Sequence, residues 1–212
     1  MTRGDWRVYV ITDSHQARGR SHREIAEAAI RGGATAVQLR MKDEPARVML
    51  DAAREIAPLC RAAGVAFIIN DRVDVALIAG ADGVHIGQDD LPARDVRALM
   101  GPRALVGVSA ATVEEGEAAE RMGADYLGVG AVYPTGTKPD AGAPVGLDRL
   151  REIGRAVRLP LVGIGGITAD NAAAVIRAGA SGVAVITAVT LAEDMTAAAR
   201  RLREEVDAAL SR

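Results

Sequence analysis

The chain has 212 residues, of which 49% are hydrophobic and 25% are charged, as in an ordinary globular protein. Its formal net charge of −2 argues against nucleic acid or an anionic membrane as the main partner. The single cysteine, Cys60, excludes an internal disulfide. The first residues lack the apolar core of a signal peptide, and no stretch approaches the roughly 20 apolar residues of a membrane span. We therefore expect a cytoplasmic protein in which residues 1–212 form one domain.

A short pattern recurs four times along the chain. In each copy a Gly-Ala pair stands before an apolar stretch, at Gly33-Ala34, Gly80-Ala81, Gly123-Ala124 and Gly179-Ala180. Each copy is typical of a helix end, a turn and then a strand. The copies lie roughly 40 to 60 residues apart, which is too long for one strand–helix unit and suits two. Four copies therefore predict eight strands, with the pattern marking the even-numbered ones.

Apolar runs between the copies supply the odd-numbered strands. Near-continuous apolar runs are typical of strands that are covered on both faces. Because aromatic residues make up only 2% of the chain, we expect the core to consist of Val, Ile, Leu and Ala. The eight predicted strands are Arg7–Thr12, Thr35–Leu39, Ala66–Ile69, Gly83–Ile86, Ala104–Val108, Tyr126–Val129, Leu161–Ile164 and Val183–Ile186.

Helix-start signals separate these strands. They are capping-box spacings at Ser21–Glu24 and Thr112–Glu115, and prolines suited to a first helical position at Pro45 and Pro92. Eight alternations of strand and helix predict a (β/α)8 TIM barrel, an α/β fold. A doubly wound open sheet is the alternative, but we expect that arrangement to interrupt the fourfold pattern.

In a barrel of this kind, functional groups lie where strands end and the following loops begin. Strand 2 runs into Gln38, Arg40 and Lys42, which strand alternation places on one face, toward the barrel mouth. Solvated loop charges are the alternative for Arg40 and Lys42. We favour a functional role because the outward-facing residues, Leu39 and Met41, stay apolar to the end of the strand.

Two acidic groups follow the next two strands. Asp71 comes with Asn70 directly after strand 3, and Asp90 follows strand 4. Either aspartate could instead cap the helix that comes next. Together, beside the cations of strand 2, they fit a Mg²⁺ site, because Mg²⁺ takes one or two carboxylates and completes its shell with phosphate oxygens and water. We interpret His85, inside strand 4, as a packed and hydrogen-bonded core residue.

The loop after strand 6, residues 132–144, is the longest between predicted elements. It carries Thr135, Thr137 and Lys138, whose hydroxyls and charge suit a phosphate group. Its length favours an active-site loop over the alternative of a Pro-rich surface loop. Ser109, at the end of strand 5, is interpreted as a hydrogen-bonding group or a turn residue.

Strands 7 and 8 end in groups that suit a second anion site. Gly165-Gly166 let the backbone approach a ligand, and Ile186-Thr187 follow strand 8, where such barrels frequently bind phosphate. A metal ion with Arg and Lys can stabilise a pyrophosphate leaving group, and the second site would hold the acceptor. The residues therefore predict a barrel that transfers a group from a diphosphate, and they leave the substrates open.

Six blocks of sequence carry a specific joint signal. They are Gln38-Leu39-Arg40-Met41-Lys42, Asn70-Asp71, Gly83 to Asp90, Gly107-Val108-Ser109, Tyr133 to Lys138 and Ile164-Gly165-Gly166-Ile167. In this order and spacing, over nearly the whole chain, the blocks resemble the thiamine-phosphate synthase family. The resemblance implies a transferase that joins hydroxymethylpyrimidine diphosphate to a thiazole phosphate, giving thiamine phosphate and pyrophosphate. It also implies a dissociative substitution assisted by Mg²⁺, which needs no obvious general base.

The resemblance further implies a role for each matching position. The pyrimidine diphosphate would be bound by Gln38, Arg40, Lys42, Asn70, Ser109 and Lys138, of which Arg40, Lys42, Ser109 and Lys138 form the catalytic set. The thiazole phosphate would be bound by Thr135, Thr137, Gly166, Ile186 and Thr187. Mg²⁺ would be held by Asp71 and Asp90.

Three positions depart from the family's usual pattern. Met41 stands where Glu is usual, Thr187 where Ser is usual, and Ala111 where many members have His. Two rival hypotheses are a related thiazole tautomerase and a non-catalytic regulator that binds thiamine phosphates. Neither would need the cationic and acidic groups of strands 2 to 4 together. The sequence leaves the oligomeric state open.

Overall fold

A computed structural model describes residues 4–13, 15–136 and 144–211. Its eight strands form a closed barrel, in which neighbours in chain order pair in parallel and the last strand pairs with the first. The strands are Val8–Thr12 (β1), Ala36–Leu39 (β2), Ala66–Asn70 (β3), Gly83–Ile86 (β4), Leu105–Ala110 (β5), Tyr126–Val129 (β6), Leu161–Ile164 (β7) and Gly182–Val185 (β8). The predicted (β/α)8 barrel is confirmed, and the open sheet is not formed.

The helices surround the barrel. Among the described residues they are His22–Arg31 (α1), Ala46–Ala63 (α2), Val73–Ala79 (α3), Ala93–Met100 (α4), Val113–Arg121 (α5), Gly146–Ala156 (α6), Ala169–Arg177 (α7), Thr187–Thr190 (α8) and Met195–Leu210 (α9). Within the three described ranges, none of these helices combines the length and apolar character that crossing a membrane requires.

Capping side chains begin two of the helices where the sequence predicts them. The Ser21 and Thr112 hydroxyls each accept the backbone N–H of a glutamate three residues on, completing capping boxes at α1 and α5. Pro45 and Pro92 stand one residue earlier than predicted. Each occupies the N-cap with an extended ψ, of 146° and 137°, so the helix begins at the following alanine.

Strand boundaries differ from the predicted ones by a residue or two, and one difference affects the site. β5 extends to Ala110, so Ser109 lies within a strand rather than at a turn. The extension follows from pairing with β6, because Ser109 and Ala110 lie in register with Gly128 and Val129. Ser109 is thereby held rigidly by the barrel wall.

The hydrophobic core has two layers of different composition. The layer between barrel and helices consists almost wholly of aliphatic side chains, as the aromatic-poor composition predicts. The barrel interior differs, because Trp6, Tyr9 and Tyr126 pack inside it near the end where strands begin. Trp6 stacks on Tyr126 with ring centroids 3.9 Å apart. The expectation of an aliphatic core is therefore wrong for the barrel interior, where these rings form a floor beneath the mouth.

Candidate active site

A cavity of about 410 Å³ opens at the end of the barrel where the strands finish. Parallel strands all end on one side, so groups distant in sequence converge there. The predicted site residues that line this cavity are Gln38, Arg40, Lys42, Asn70, Asp71, Asp90, Ser109, Thr135, Gly166, Ile186 and Thr187. Thr137 and Lys138 lie outside the described residues.

Arg40 is held by a buried carboxylate that sequence reasoning missed. Its Nη1 donates to Asp13 Oδ2 at 2.5 Å, and Asp13 is only 3% exposed. The other oxygen of Asp13 accepts the backbone N–H of His15 at 2.9 Å. The signal was present, because Asp13 directly follows a buried strand, as Asp71 does. Arg40 is therefore a fixed cation at the wall of the cavity rather than a solvated loop charge.

Asp71 collects polar contacts from two neighbouring strand ends. Its Oδ2 lies 3.4 Å from Lys42 Nζ and accepts a hydrogen bond of 2.6 Å from Asn70 Nδ2. Its backbone has a φ of 61°, a left-handed value that Asp tolerates better than most residues, and its N–H donates to the His85 carbonyl at 2.8 Å. Arg72, not Asp71, is the N-cap of α3, so the alternative of a helix cap fails for Asp71.

Asp90 completes an acidic pair with Asp71. Its Oδ2 accepts the Gly87 N–H at 2.7 Å, while the N-cap of the next helix is Pro92, so Asp90 is not a helix cap either. Burial, together with the nearby charge of Asp90, raises the pKa of Asp71 above its ordinary value. Two carboxylates that repel each other in a partly buried wall are the donor set that a divalent cation would stabilise.

The donor set also limits the kind of cation. In the described parts of the chain, no three His, Cys, Asp or Glu side chains surround one point. An ion at Asp71 and Asp90 would take these two carboxylates and complete its shell from substrate and water. That arrangement fits Mg²⁺, which retains water and commonly binds through substrate phosphates.

The opposite wall is built from backbone and small side chains. Gly165 and Gly166 have φ values of 95° and 64°, and a Cβ on Gly166 would come within 2.6 Å of the Pro134 carbonyl oxygen. Glycine is therefore required for the loops after β6 and β7 to touch. Asn171 Nδ2 donates to the Gly166 carbonyl at 3.0 Å and fixes this turn. Thr187, which lines the cavity, is the first residue of α8.

His85 is hydrogen-bonded, as expected, but it also lines the cavity. Its Nδ1 lies 3.0 Å from the Tyr126 hydroxyl, and its Nε2 lies 3.0 Å from Ser109 Oγ. Tyr9 and Tyr126 line the cavity as well, and sequence reasoning missed both. Their signal was weak: two tyrosines inside apolar strands of an aromatic-poor chain also fit simple packing.

Residues 8–189 match the family model described as thiamine monophosphate synthase. The chain belongs to the thiamine monophosphate synthase family. It is 58% identical over 199 residues to the thiamine-phosphate synthase of Chloroflexus aurantiacus, a match that covers 94% of this chain and 92% of that one. It is 55% identical over 201 residues to the thiamine-phosphate synthase of Moorella thermoacetica, which covers 95% and 96% of the two chains.

A solved member of the family has the same architecture. The thiamine phosphate pyrophosphorylase from Pyrococcus furiosus superposes with a TM-score of 0.91 at 41% identity, over 98% of each chain. The family resemblance inferred from the sequence blocks is confirmed. Of the three departures from the family's pattern, Met41 packs against the core outside the cavity, whereas Ala111 and Thr187 line it.

Proposed function

We propose that this member of the family is itself a thiamine-phosphate synthase, a transferase that joins hydroxymethylpyrimidine diphosphate to a thiazole phosphate and releases pyrophosphate. One observation carries the proposal most strongly: two cations and two carboxylates from the ends of β2, β3 and β4 line one cavity. A tautomerase or a phosphate-binding regulator would not need that set. The proposal includes a cytoplasmic location.

The side of the cavity formed by Arg40, Lys42, Asp71 and Asp90 is called the charged wall. The diphosphate end of the pyrimidine substrate is assigned to it. Arg40, fixed by Asp13, and Lys42 would bind the diphosphate oxygens, with Asn70 as a neutral partner. Gln38 and Ser109, which line the same cavity, would contact the pyrimidine part of that substrate. Negative charge grows on the pyrophosphate as the C–O bond breaks. Cations already in place there stabilise the transition state more than the substrate, which is how binding energy becomes rate.

Mg²⁺ is assigned to Asp71 and Asp90 because their carboxylates form the acidic pair of this wall. When bound, the ion would neutralise part of the charge that develops on departing pyrophosphate. Lys42, whose Nζ lies 3.4 Å from Asp71 Oδ2, would contact both this carboxylate and the pyrophosphate.

The acceptor is assigned to the opposite wall. Thr135, Gly166, Ile186 and Thr187 line it, and they would bind the thiazole phosphate through hydroxyl and backbone donors. Thr137 and Lys138 keep their implied roles as proposals, since they lie outside the described residues. Holding the thiazole opposite the bond that breaks lets its nitrogen attack the pyrimidine methylene cation without a general base, so positioning supplies much of the rate.

The first experiment measures pyrophosphate release from the purified chain with both substrates, each substrate alone, and with or without Mg²⁺. We expect release that requires both substrates and the metal ion. A folded protein that binds the thiazole phosphate but releases no pyrophosphate would contradict the synthase proposal and favour the tautomerase or the regulator.

Replacing Asp71 tests the metal assignment within the same assay. We expect Asp71→Ala to lose turnover, because a single carboxylate would hold the ion weakly. Asp74→Ala is the matched control, since Asp74 lies three residues on and pairs with Arg72 at 2.6 Å outside the cavity. Full activity in Asp71→Ala would rule out this metal site.

A further inference from the structure

A row of hydrogen bonds crosses the floor of the cavity from β2 to β5. Gln38 Nε2 donates to the Tyr9 hydroxyl at 2.8 Å, and that hydroxyl lies 3.0 Å from the Tyr126 hydroxyl. Tyr126 continues to His85 Nδ1 at 3.0 Å, and His85 Nε2 reaches Ser109 Oγ at 3.0 Å. The row therefore joins a side chain of β2 to a side chain of β5, and its two ends are residues that the proposed function places against the pyrimidine substrate.

The orientation of the Gln38 amide sets the direction of the row. Because Gln38 donates to Tyr9, the Tyr9 proton can go only to Tyr126 among the described residues in contact with it. The Tyr126 proton must then go to Nδ1 of His85, so the proton of a neutral His85 lies on Nε2 and is donated to Ser109. Ser109 is left with its own hydroxyl proton to offer to the cavity.

The tyrosines keep their protons at any physiological pH. Tyr9 and Tyr126 are 2% and 0% exposed, and burial raises the pKa of each hydroxyl well above its ordinary value. Each hydroxyl thus both accepts and donates one hydrogen bond. If the Gln38 amide were turned over, its oxygen would accept from Tyr9 and every bond in the row would reverse. The orientations of Gln38 and Ser109 are therefore coupled.

The barrel leaves space for this row by omitting side chains. A Cβ on Gly107 would lie 2.1 Å from the Tyr126 ring and 2.5 Å from His85 Nδ1. A Cβ on Gly128 would lie 2.9 Å from His85 Cε1. Gly107 lies in β5, between the strands of His85 (β4) and Tyr126 (β6), and Gly128 lies in β6 itself. These two glycines therefore leave the space that the rings of His85 and Tyr126 and their hydrogen bonds occupy.

We propose that Tyr9, Tyr126 and His85 are positioning residues, which hold the Gln38 amide oxygen and the Ser109 hydroxyl proton toward the cavity. A bound ring then meets a fixed acceptor beside β2 and a fixed donor beside β5. This polarity selects a heterocycle with an N–H donor on one edge and an acceptor atom on another, as in an aminopyrimidine. The inference rests on the proposed function for the identity of the ligand, but the direction of the row does not.

The position of the His85 proton tests that direction without any substrate. In a ¹⁵N-labelled protein at neutral pH, long-range ¹H–¹⁵N correlations distinguish the two neutral tautomers. The chain has 3 histidines, so the spectrum of His85→Asn assigns the signal by its loss. We expect a proton on Nε2 and none on Nδ1. A ring with a proton on Nδ1, whether or not Nε2 also carries one, would overturn the proposal.

Removing one hydroxyl tests the link to the substrate. Tyr126→Phe keeps the ring against Trp6 and breaks the row. We expect kcat/KM for the pyrimidine diphosphate to fall about tenfold, with KM for the thiazole phosphate unchanged. Thr35→Val is the matched control, because the Thr35 hydroxyl bonds Val8 N and O, both at 3.1 Å, below the cavity. Equal kinetics in the two variants would contradict the proposal.

A second substitution separates positioning from packing. Tyr9→Phe should lower kcat/KM for the pyrimidine diphosphate about as much as Tyr126→Phe does. The double variant should have a kcat/KM no lower than that of the slower single variant, because one missing hydroxyl already breaks the row. Multiplied losses would argue for two independent packing defects and against the row. Wild-type protein that releases no pyrophosphate would contradict the proposed function alone, and the His85 tautomer would still decide the row.

Discussion

At the scale of single residues, His22 makes stability depend on pH. It is 8% exposed, its Nδ1 lies 2.7 Å from Thr12 Oγ1, and its Nε2 is buried without a partner among the described residues. Burial lowers the pKa of His22 below its ordinary value, and the charges of Glu44 and Asp13 only partly oppose this. The folded protein therefore resists protonation of this ring.

The sign of the effect follows from linkage. The unfolded chain protonates His22 first as pH falls below about 6.5, so the free energy of unfolding should decrease from there toward the lower folded pKa. We expect His22→Asn, which cannot titrate, to lose less stability over this interval than wild type, as measured by urea unfolding at several pH values. His15→Asn is the control, because the His15 side chain is 66% exposed. Parallel curves for wild type and His22→Asn would refute the effect.

The buried carboxylate behind Arg40 is expected to matter for rate. Asp13→Asn keeps an acceptor for the His15 N–H but removes the charge that fixes the guanidinium. We expect kcat for pyrophosphate release to fall by about tenfold or more, because a freed Arg40 no longer stands where charge develops. Asp5→Asn is the matched control, since it breaks an exposed ion pair to Arg7 of the same 2.5 Å length at the far end of the barrel. Equal kcat in both variants would contradict the role.

Sequence alone located the charged wall because its signal is local. Alternation predicted the common face of Gln38, Arg40 and Lys42, and acidic residues after buried strands predicted Asp71 and Asp90. Whether a carboxylate pairs with a cation or caps the next helix cannot be predicted from its neighbours in sequence, because it depends on which strand ends lie side by side. The row from Gln38 to Ser109 was unpredictable for the same reason: its contacts join residues up to 117 positions apart.

At the scale of elements, the sequence predicted the starts of α1 and α5, where a capping box begins the helix, but not the side-chain caps of α7 and α9 at Thr168 and Asp194. The capping box of α5 is an example: Glu115 Oε2 accepts the Thr112 N–H at 3.3 Å, and the Thr112 hydroxyl accepts the Glu115 N–H at 3.2 Å. Strand ends were less predictable, because a ladder continues as far as its neighbour pairs. β5 runs past the predicted Val108 for that reason.

Removing the α5 cap should lower the free energy of unfolding. We expect Thr112→Ala to reduce the free energy of unfolding by about 1 kcal/mol, because the Glu115 N–H loses its acceptor. Thr112→Ser keeps the hydroxyl and should be close to wild type. Chemical denaturation monitored by circular dichroism measures both, and an unchanged midpoint in Thr112→Ala would show that the box contributes nothing to the folded barrel.

At the scale of the whole molecule, the barrel closes where β8 meets β1, and the closure depends on a missing side chain. A Cβ on Gly182 would lie 1.7 Å from the Trp6 carbonyl oxygen and 2.3 Å from its carbon. Both are backbone atoms of the chain entering β1, so no side chain can move aside. Trp6 also stacks on Tyr126 beneath the cavity, which ties the seam of the barrel to the floor of the site.

Gly182→Ala should therefore destabilise the entire fold. We expect the free energy of unfolding to drop by about 3 kcal/mol or more, at the upper end for overpacking, because relief requires β1 and β8 to separate. Gly154→Ala is the matched control, since its Cβ would meet only a Leu161 methyl group, at 3.1 Å, and alanine favours the helix α6 that contains it. A Gly182→Ala protein as stable as the control would mean that β1 and β8 can separate without loss of stability, and it would contradict the prediction. Pyrophosphate release by Gly182→Ala at low temperature then reports whether the floor of the site stays in place. We expect this activity to fall as the pairing of β1 with β8 is lost.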